Sequence, residues 1–225
     1  MNKFNIAIDG PSAAGKSTIA KLLARHYGFA HLDTGAMYRC VAYLSKERNI
    51  EIHDTKSIVD MINDMKISFD STGNVFINDT DVSLAIRTNE ISMRASTISA
   101  IAEVREMLVK QQQKIAEDKG YILDGRDIGT VVLPNAEAKF YLVASVEARA
   151  QRRYKENQVK GIDEKYEDIY EDIEKRDYQD MNRETSPLKQ ADDAIKVDTS
   201  NMSIEEVKNH LIKLSDKKIC GELND

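Results

Sequence analysis

Residues 4–17 read Phe4-Asn5-Ile6-Ala7-Ile8-Asp9-Gly10-Pro11-Ser12-Ala13-Ala14-Gly15-Lys16-Ser17, with Thr18 next. From Gly10 onward this is G-x-x-x-x-G-K-[ST], the phosphate-binding loop signature, and each part has a mechanical reason. The glycines permit a tight turn that aims backbone N–H groups at phosphate oxygens. Lys16 is a mobile cation for β- and γ-phosphates, and the Ser17 hydroxyl is a magnesium ligand. The apolar run Phe4–Ile8 ahead of the loop reads as a buried strand. Behind it, Ile19, Leu22, Leu23 and His26 recur at i, i+3, i+4 and i+7, a helical stripe over Lys16–Tyr27, and Gly28 sits where a helix C′ glycine belongs. Strand, loop and helix follow in the order that separates a working signature from a chance glycine turn.

Outward from the loop the chain alternates. Strands are expected at Phe29–Leu32, Tyr121–Asp124, Lys139–Val143 and Ala194–Val197. Helices are expected at Ala36–Arg48, Thr55–Met65, Thr88–Ser96, Ala100–Asp118, Val146–Asn157 and Tyr166–Met181. Ser203-Ile204-Glu205-Glu206 is a capping box that opens a last helix. Residues 66–84 break the alternation: Ile67-Ser68-Phe69 and Val75-Phe76-Ile77 flank Asp70-Ser71-Thr72-Gly73-Asn74, a hairpin pattern inside an α/β chain. Strands separated by helices imply a parallel sheet of about five strands covered on both faces, with ligands at the C-terminal strand edges.

Composition narrows the class. Apolar residues make up 41% and charged residues 31%, which suits a packed core in water. A net charge of −6 disfavours a nucleic-acid polymer as partner. Cys40 and Cys220 are too few for a disulfide framework, and reduced thiols in a cytoplasmic protein are expected. No apolar run approaches a membrane span, and Asp9 interrupts any signal-peptide core.

Charged residues cluster where the strands end. Asp33-Thr34-Gly35-Ala36-Met37-Tyr38-Arg39 follows one strand, with Gly35 read as a sharp turn and Arg39 on the helix beyond. Leu123-Asp124-Gly125-Arg126-Asp127 follows another. Asp124 suits a carboxylate near magnesium, Arg126 can fork onto a phosphate, and Asp127 can accept from a substrate base. Arg149, Arg152 and Arg153 are spaced to share a helix face, with Lys155 and Lys160 nearby, although a solvated, salt-bridged helix reads the same way. Arg176, Asp180 and Arg183 repeat the spacing. So many cations exceed what one triphosphate needs. They suit a kinase that holds two polyanions side by side, since cations offset their repulsion and stabilise the moving phosphoryl group. No N-K-x-D guanine-reading motif is present. A kinase for another small acceptor, such as another nucleotide or shikimate, and a non-catalytic nucleotide switch remain open on these residues.

Taken in order, Gly10–Thr18, Asp33–Arg39, Ile86-Arg87-Thr88, Asp124–Gly129 and Arg176–Arg183 resemble the bacterial cytidylate kinase family, nucleoside monophosphate kinases of the P-loop class. The resemblance covers nearly the whole chain. It implies a single P-loop kinase domain with a core over 1–65, 88–145 and 181–225, a monophosphate-binding insert at about 66–87, and a helical lid at about 146–180. It implies that Gly10, Pro11, Ser12, Ala13, Ala14, Gly15, Lys16, Ser17 and Thr18 hold ATP, with Arg149 and Arg153 in a lid over it. Ser17 and Asp124 would serve Mg2+. Arg39, Arg126 and Arg183 would hold the phosphate of CMP; Ser96, Arg105 and Asp127 would read the cytosine; Thr34, Arg176 and Asp180 would contact the sugar. Lys16, Arg126, Arg153 and Arg183 would be the catalytic cations. ATP and CMP or dCMP are the expected partners, and a monomer without nucleic acid or membrane is expected. Two departures stand out: Thr34 replaces a frequent serine, and Ala13 occupies a frequent glycine position.

Overall fold

The computed structural model describes residues 3–70, 73–159 and 161–220. Ser71 and Thr72 of the expected hairpin loop, and Lys160 of the basic run, lie outside the described residues. The chain divides into two units, residues 33–115 and the remainder.

The remainder is built on a five-stranded sheet. Its strands are β1 (Ile6–Asp9), β2 (Ala30–Asp33), β6 (Tyr121–Gly125), β7 (Ala138–Val143) and β8 (Ile195–Asp198), in the order β2-β6-β1-β7-β8. β1 pairs in parallel with β6 on one side and β7 on the other, and β7 pairs in parallel with β8. A central strand covered on both faces has no polar side, so β1 is Ile-Ala-Ile-Asp and buried throughout. Ile6 and Ile8, with Phe140 and Leu142 of β7, pack on Ile19 and Leu23 of α1 (Lys16–Tyr27) and on Val207 and Leu211 of α8 (Ile204–Ile219). α1 ends at Gly28, whose φ of 68° suits only a residue without Cβ strain. The capping box of α8 forms in both directions between Ser203 and Glu206. α6 (Val146–Val159) and α7 (Tyr166–Asn182) make a pair with a small core of their own, Ala150, Ile169 and Ile173.

The unit of residues 33–115 holds α2 (Thr34–Glu47), α3 (Thr55–Asn63), α4 (Asn89–Ile98) and α5 (Ala102–Ile115). It also holds an antiparallel sheet of β3 (Ile67–Phe69), β4 (Val75–Ile77) and β5 (Thr80–Asp81). The expected hairpin is β3–β4, in the register Ile67↔Ile77 and Phe69↔Val75. The third strand is a two-residue addition that no apolar alternation announces.

Candidate active site

Where β1 ends, the backbone must turn against β7. A Cβ on Gly10 would lie 2.1 Å from the carbonyl oxygen of Leu142, and φ there is 147°, so only glycine fits. Ala13 sits at φ 57°, the left-handed region that costs an L-residue strain, which gives a physical reason for glycine at this position. Lys16 opens α1, is buried, and donates from Nζ to the Pro11 carbonyl at 2.7 Å. Burial, reinforced by Arg126, lowers its pKa to about 7. A phosphate arriving here would restore its charge.

Ser17 Oγ donates to Asp124 Oδ2 at 2.6 Å, so the two residues expected to serve magnesium are adjacent. The other oxygen, Oδ1, lies 2.6 Å from His31 Nε2 on β2. Hydroxyl and carboxylate oxygens are the hard donors magnesium prefers, so this pair fits the ion.

Asp9, at the end of β1, accepts from the backbone N–H of Ile128 and of Gly129, each at 2.7 Å. These bonds pin a π-helical turn over Ile128–Val132 and thereby fix Arg126 and Asp127 just before it. Burial pushes the Asp9 carboxyl up from 3.8 to about 6, against the pull of the two amides. A raised carboxyl favours the folded state below pH 4 and loses that advantage as pH rises through about 6. Asp9→Asn removes the titration. The stability of the natural protein relative to the variant should therefore fall by on the order of 3 kcal/mol between pH 4 and 7. Denaturant unfolding across that range measures it, and a pH-independent difference would contradict the assignment.

Beyond the turn lies a buried charge cluster. Arg126 Nε donates to Asp180 Oδ2 at 2.7 Å. Arg183 approaches Asp180 at 3.8 Å and Asp127 at 4.0 Å, and its Nε donates to the Ser186 carbonyl at 2.6 Å. Burial would raise the Asp180 carboxyl, but Arg126, Arg183 and Arg176 outweigh it and hold it below the ordinary carboxylate range. The cluster brings together Arg126, Asp127, Arg176, Asp180 and Arg183 from the sequence expectation.

The basic run on α6 does not act as one face. Arg149 is buried: Nε donates to the Ala144 carbonyl and Nη1 to the Ser12 carbonyl, both at 2.9 Å, and Nη1 pairs with Asp177 at 2.5 Å. Arg152 turns away to Thr199. Arg153 is half-exposed, 3.4 Å from Glu156. Helical steps of about 100° explain the divergence, because positions i+3 and i+4 fall on opposite sides of i.

In the other unit, Asp33 caps α2 by accepting from Ala36 N at 2.9 Å and pairs with Arg39 at 2.8 Å. Gly35 is therefore in the first turn of α2 and not in the sharp turn expected. A Cβ on it would lie 3.1 Å from Arg39 Nη1 and 3.2 Å from Asp33 Oδ1, so glycine leaves room for the ion pair. Thr34 is buried at the start of the same helix. Arg105 on α5 donates to the Ser99 carbonyl at 2.9 Å, with its guanidinium 5.5 Å from the Tyr38 ring centroid. Ser96 is half-buried on α4.

The sequence alone assigns no role to Asp9, His31, Asp33 or Asp177; the last three are partners of expected site residues, and Asp9 holds the turn that follows Asp127. Asp9 and Asp33 gave one signal, a carboxylate closing an apolar strand.

The cytidylate kinase family model matches residues 6–217. The cytidylate kinase of Streptococcus agalactiae serotype III (strain NEM316) is 50% identical over 223 residues, spanning 97% of this chain and 98% of the relative. That of Streptococcus sanguinis (strain SK36) is 52% identical over 211 residues, spanning 92% and 94%. A crystal structure of an uncharacterized protein from Eubacterium ventriosum ATCC 27560 has a TM-score of 0.51 at 15% identity, over 96% of this chain and 99% of that one, a likeness of fold alone.

Proposed function

The chain belongs to the cytidylate kinase family, and on that premise we propose that it transfers the γ-phosphoryl group of ATP to CMP or dCMP, giving ADP and CDP or dCDP. The observation that carries this reading is the pairing of the phosphate loop with the buried cluster of Arg126, Arg183 and Asp180 in one unit. One polyanion site beside a second set of cations is what transfer between two phosphates requires.

In this reading the loop amides and Lys16 hold the β- and γ-phosphates, and Arg126, Arg183 and Arg39 hold the phosphate of the acceptor. An acceptor oxygen attacks the γ-phosphorus in line as the bond to the β-bridging oxygen breaks. The acceptor phosphate is already anionic near neutral pH, so no general base is needed. Catalysis comes from positioning and from cations placed where charge builds. Ser17 and Asp124 would hold magnesium, which when bound neutralises charge on the β- and γ-oxygens. Lys16 leaves the Pro11 carbonyl for phosphate and regains its proton there. Arg153, half-exposed without ligand, closes over ATP from the lid at about 146–180; the insert at about 66–87 serves the monophosphate. Closure excludes water and suppresses ATP hydrolysis.

Ser96, Arg105 and Asp127 read the base. Cytosine offers an amino donor to the Ser96 and Asp127 oxygens, and carbonyl and ring-nitrogen acceptors to Arg105. Asp180 and Arg176, with Thr34, contact the sugar.

The test is ADP release with CMP, dCMP, UMP, AMP, GMP and shikimate as acceptors, on the natural protein and on Asp127→Ala. CMP and dCMP should be the preferred acceptors. An unpaired buried polar group costs roughly 1–3 kcal/mol, so the variant should lose about tenfold or more of its preference for CMP over UMP. Equal losses for CMP and UMP would remove Asp127 from base reading, and a preference for another acceptor would overturn the substrate.

A further inference from the structure

Ser12, in the middle of the phosphate loop, is held at both ends of its backbone. Its N–H donates to Asp177 Oδ1 at 3.1 Å, and its carbonyl accepts from Arg149 Nη1 at 2.9 Å. Arg149 and Asp177 close the ring through their own pair at 2.5 Å, and both are buried. Ala13, the next residue, packs against the small core of Ala150, Ile169 and Ile173 between α6 and α7. The loop is thus gripped by this helical pair through polar contacts at one residue and apolar contacts at the next.

One turn further along α7, Asp180 holds Arg126 at 2.7 Å. Asp177 and Asp180 are i, i+3 and lie on one face of the helix. A single rigid element therefore touches the phosphate loop at one point and the acceptor-side arginines at the next.

We propose that Asp177 is a positioning residue that ties α6 and α7 to the phosphate loop, so that occupation of the loop by ATP and of the arginine cluster by the acceptor phosphate are coupled along α7. The proposal rests on the functional reading above. A loop whose Ser12 is fixed from α7 presents its amides to phosphate in one arrangement. Phosphate that fixes the loop in turn fixes α7 and the carboxylate that orients Arg126. Coupling of this kind is reciprocal, so each ligand must tighten the other.

Asp177→Asn keeps the shape and an acceptor for the Ser12 amide but presents an amide where Arg149 needs a carboxylate. Titration of the full-length variant with ATP alone should show the Kd raised by about tenfold, as expected for a buried donor left poorly paired. The Kd for CMP without ATP should change by less than about twofold. The tightening of CMP by saturating ATP should be lost, and Asp177→Glu, which restores the charge facing Arg149, should recover part of the ATP affinity. Unchanged ATP affinity, or parallel loss of both affinities with no rescue, would overturn the proposal. Should Asp177→Asn not fold, hydrogen exchange on the natural protein decides: ATP without CMP must slow exchange in residues 166–182. Protection of residues 10–18 with none in 166–182 would refute it. A protein that binds ATP as proposed yet phosphorylates no CMP would defeat the functional reading instead.

Discussion

Lys16→Met is expected to lower kcat by at least about 10²-fold, the loss that follows removal of one preorganised electrostatic stabiliser. Lys16 is buried, and its ammonium donates to the Pro11 carbonyl at 2.7 Å. Burial lowers its pKa to about 7, so the ammonium costs the resting fold instead of supporting it and gains its effect only against phosphate. The apo variant should therefore melt at the natural temperature or above it. Methionine matches the length of the stem and carries no charge, so activity and thermal midpoint measured on the same preparation separate the two effects. Near-natural kcat would remove Lys16 from the chemistry, whereas a collapsed midpoint would make its role structural.

Asp180→Ala is expected to act first on stability. Its carboxylate faces Arg126 at 2.7 Å and Arg183 at 3.8 Å in a buried setting. Removing one partner of a buried ion pair costs about 3–5 kcal/mol, because the cations left behind have lost both water and counter-charge. For a chain of this length that is a fall of roughly 10 °C in Tm. If the cluster exists to hold a phosphate, added inorganic phosphate should raise the Tm of Asp180→Ala more than that of the natural protein, since the anion replaces the missing charge. A variant that loses stability and does not respond to phosphate would show the arginines to be structural.

The legible parts of this molecule are those whose constraints are local in the chain. The loop from Gly10 to Ser17, the stripe of Ile19, Leu22 and Leu23, Gly28 at the helix end and the Ser203–Glu206 box each state their geometry within a few residues, and each is formed as expected. The partners of the charged residues were not legible. Asp177 meets Ser12 across 165 residues, Asp9 meets Ile128 across 119, and His31 meets Asp124 across 93. Which carboxylate neutralises which buried cation is decided by the packing of elements, and no spacing records it. Arg149, Arg152 and Arg153 show the same limit from the other side: their spacing puts them on one helix, and the step of about 100° between positions sends them to three different partners. The π-helical turn was equally silent, because Ile128-Gly129-Thr130-Val131-Val132 is as well suited to a strand.

The most direct test of the central claim is to follow labelled γ-phosphate from ATP in the presence of the purified protein, magnesium and CMP. Label is expected in the β-position of CDP, or of dCDP when dCMP is the acceptor, with little of it in inorganic phosphate when no acceptor is present. Label released as inorganic phosphate at the same rate with or without CMP, and none in CDP, would contradict it.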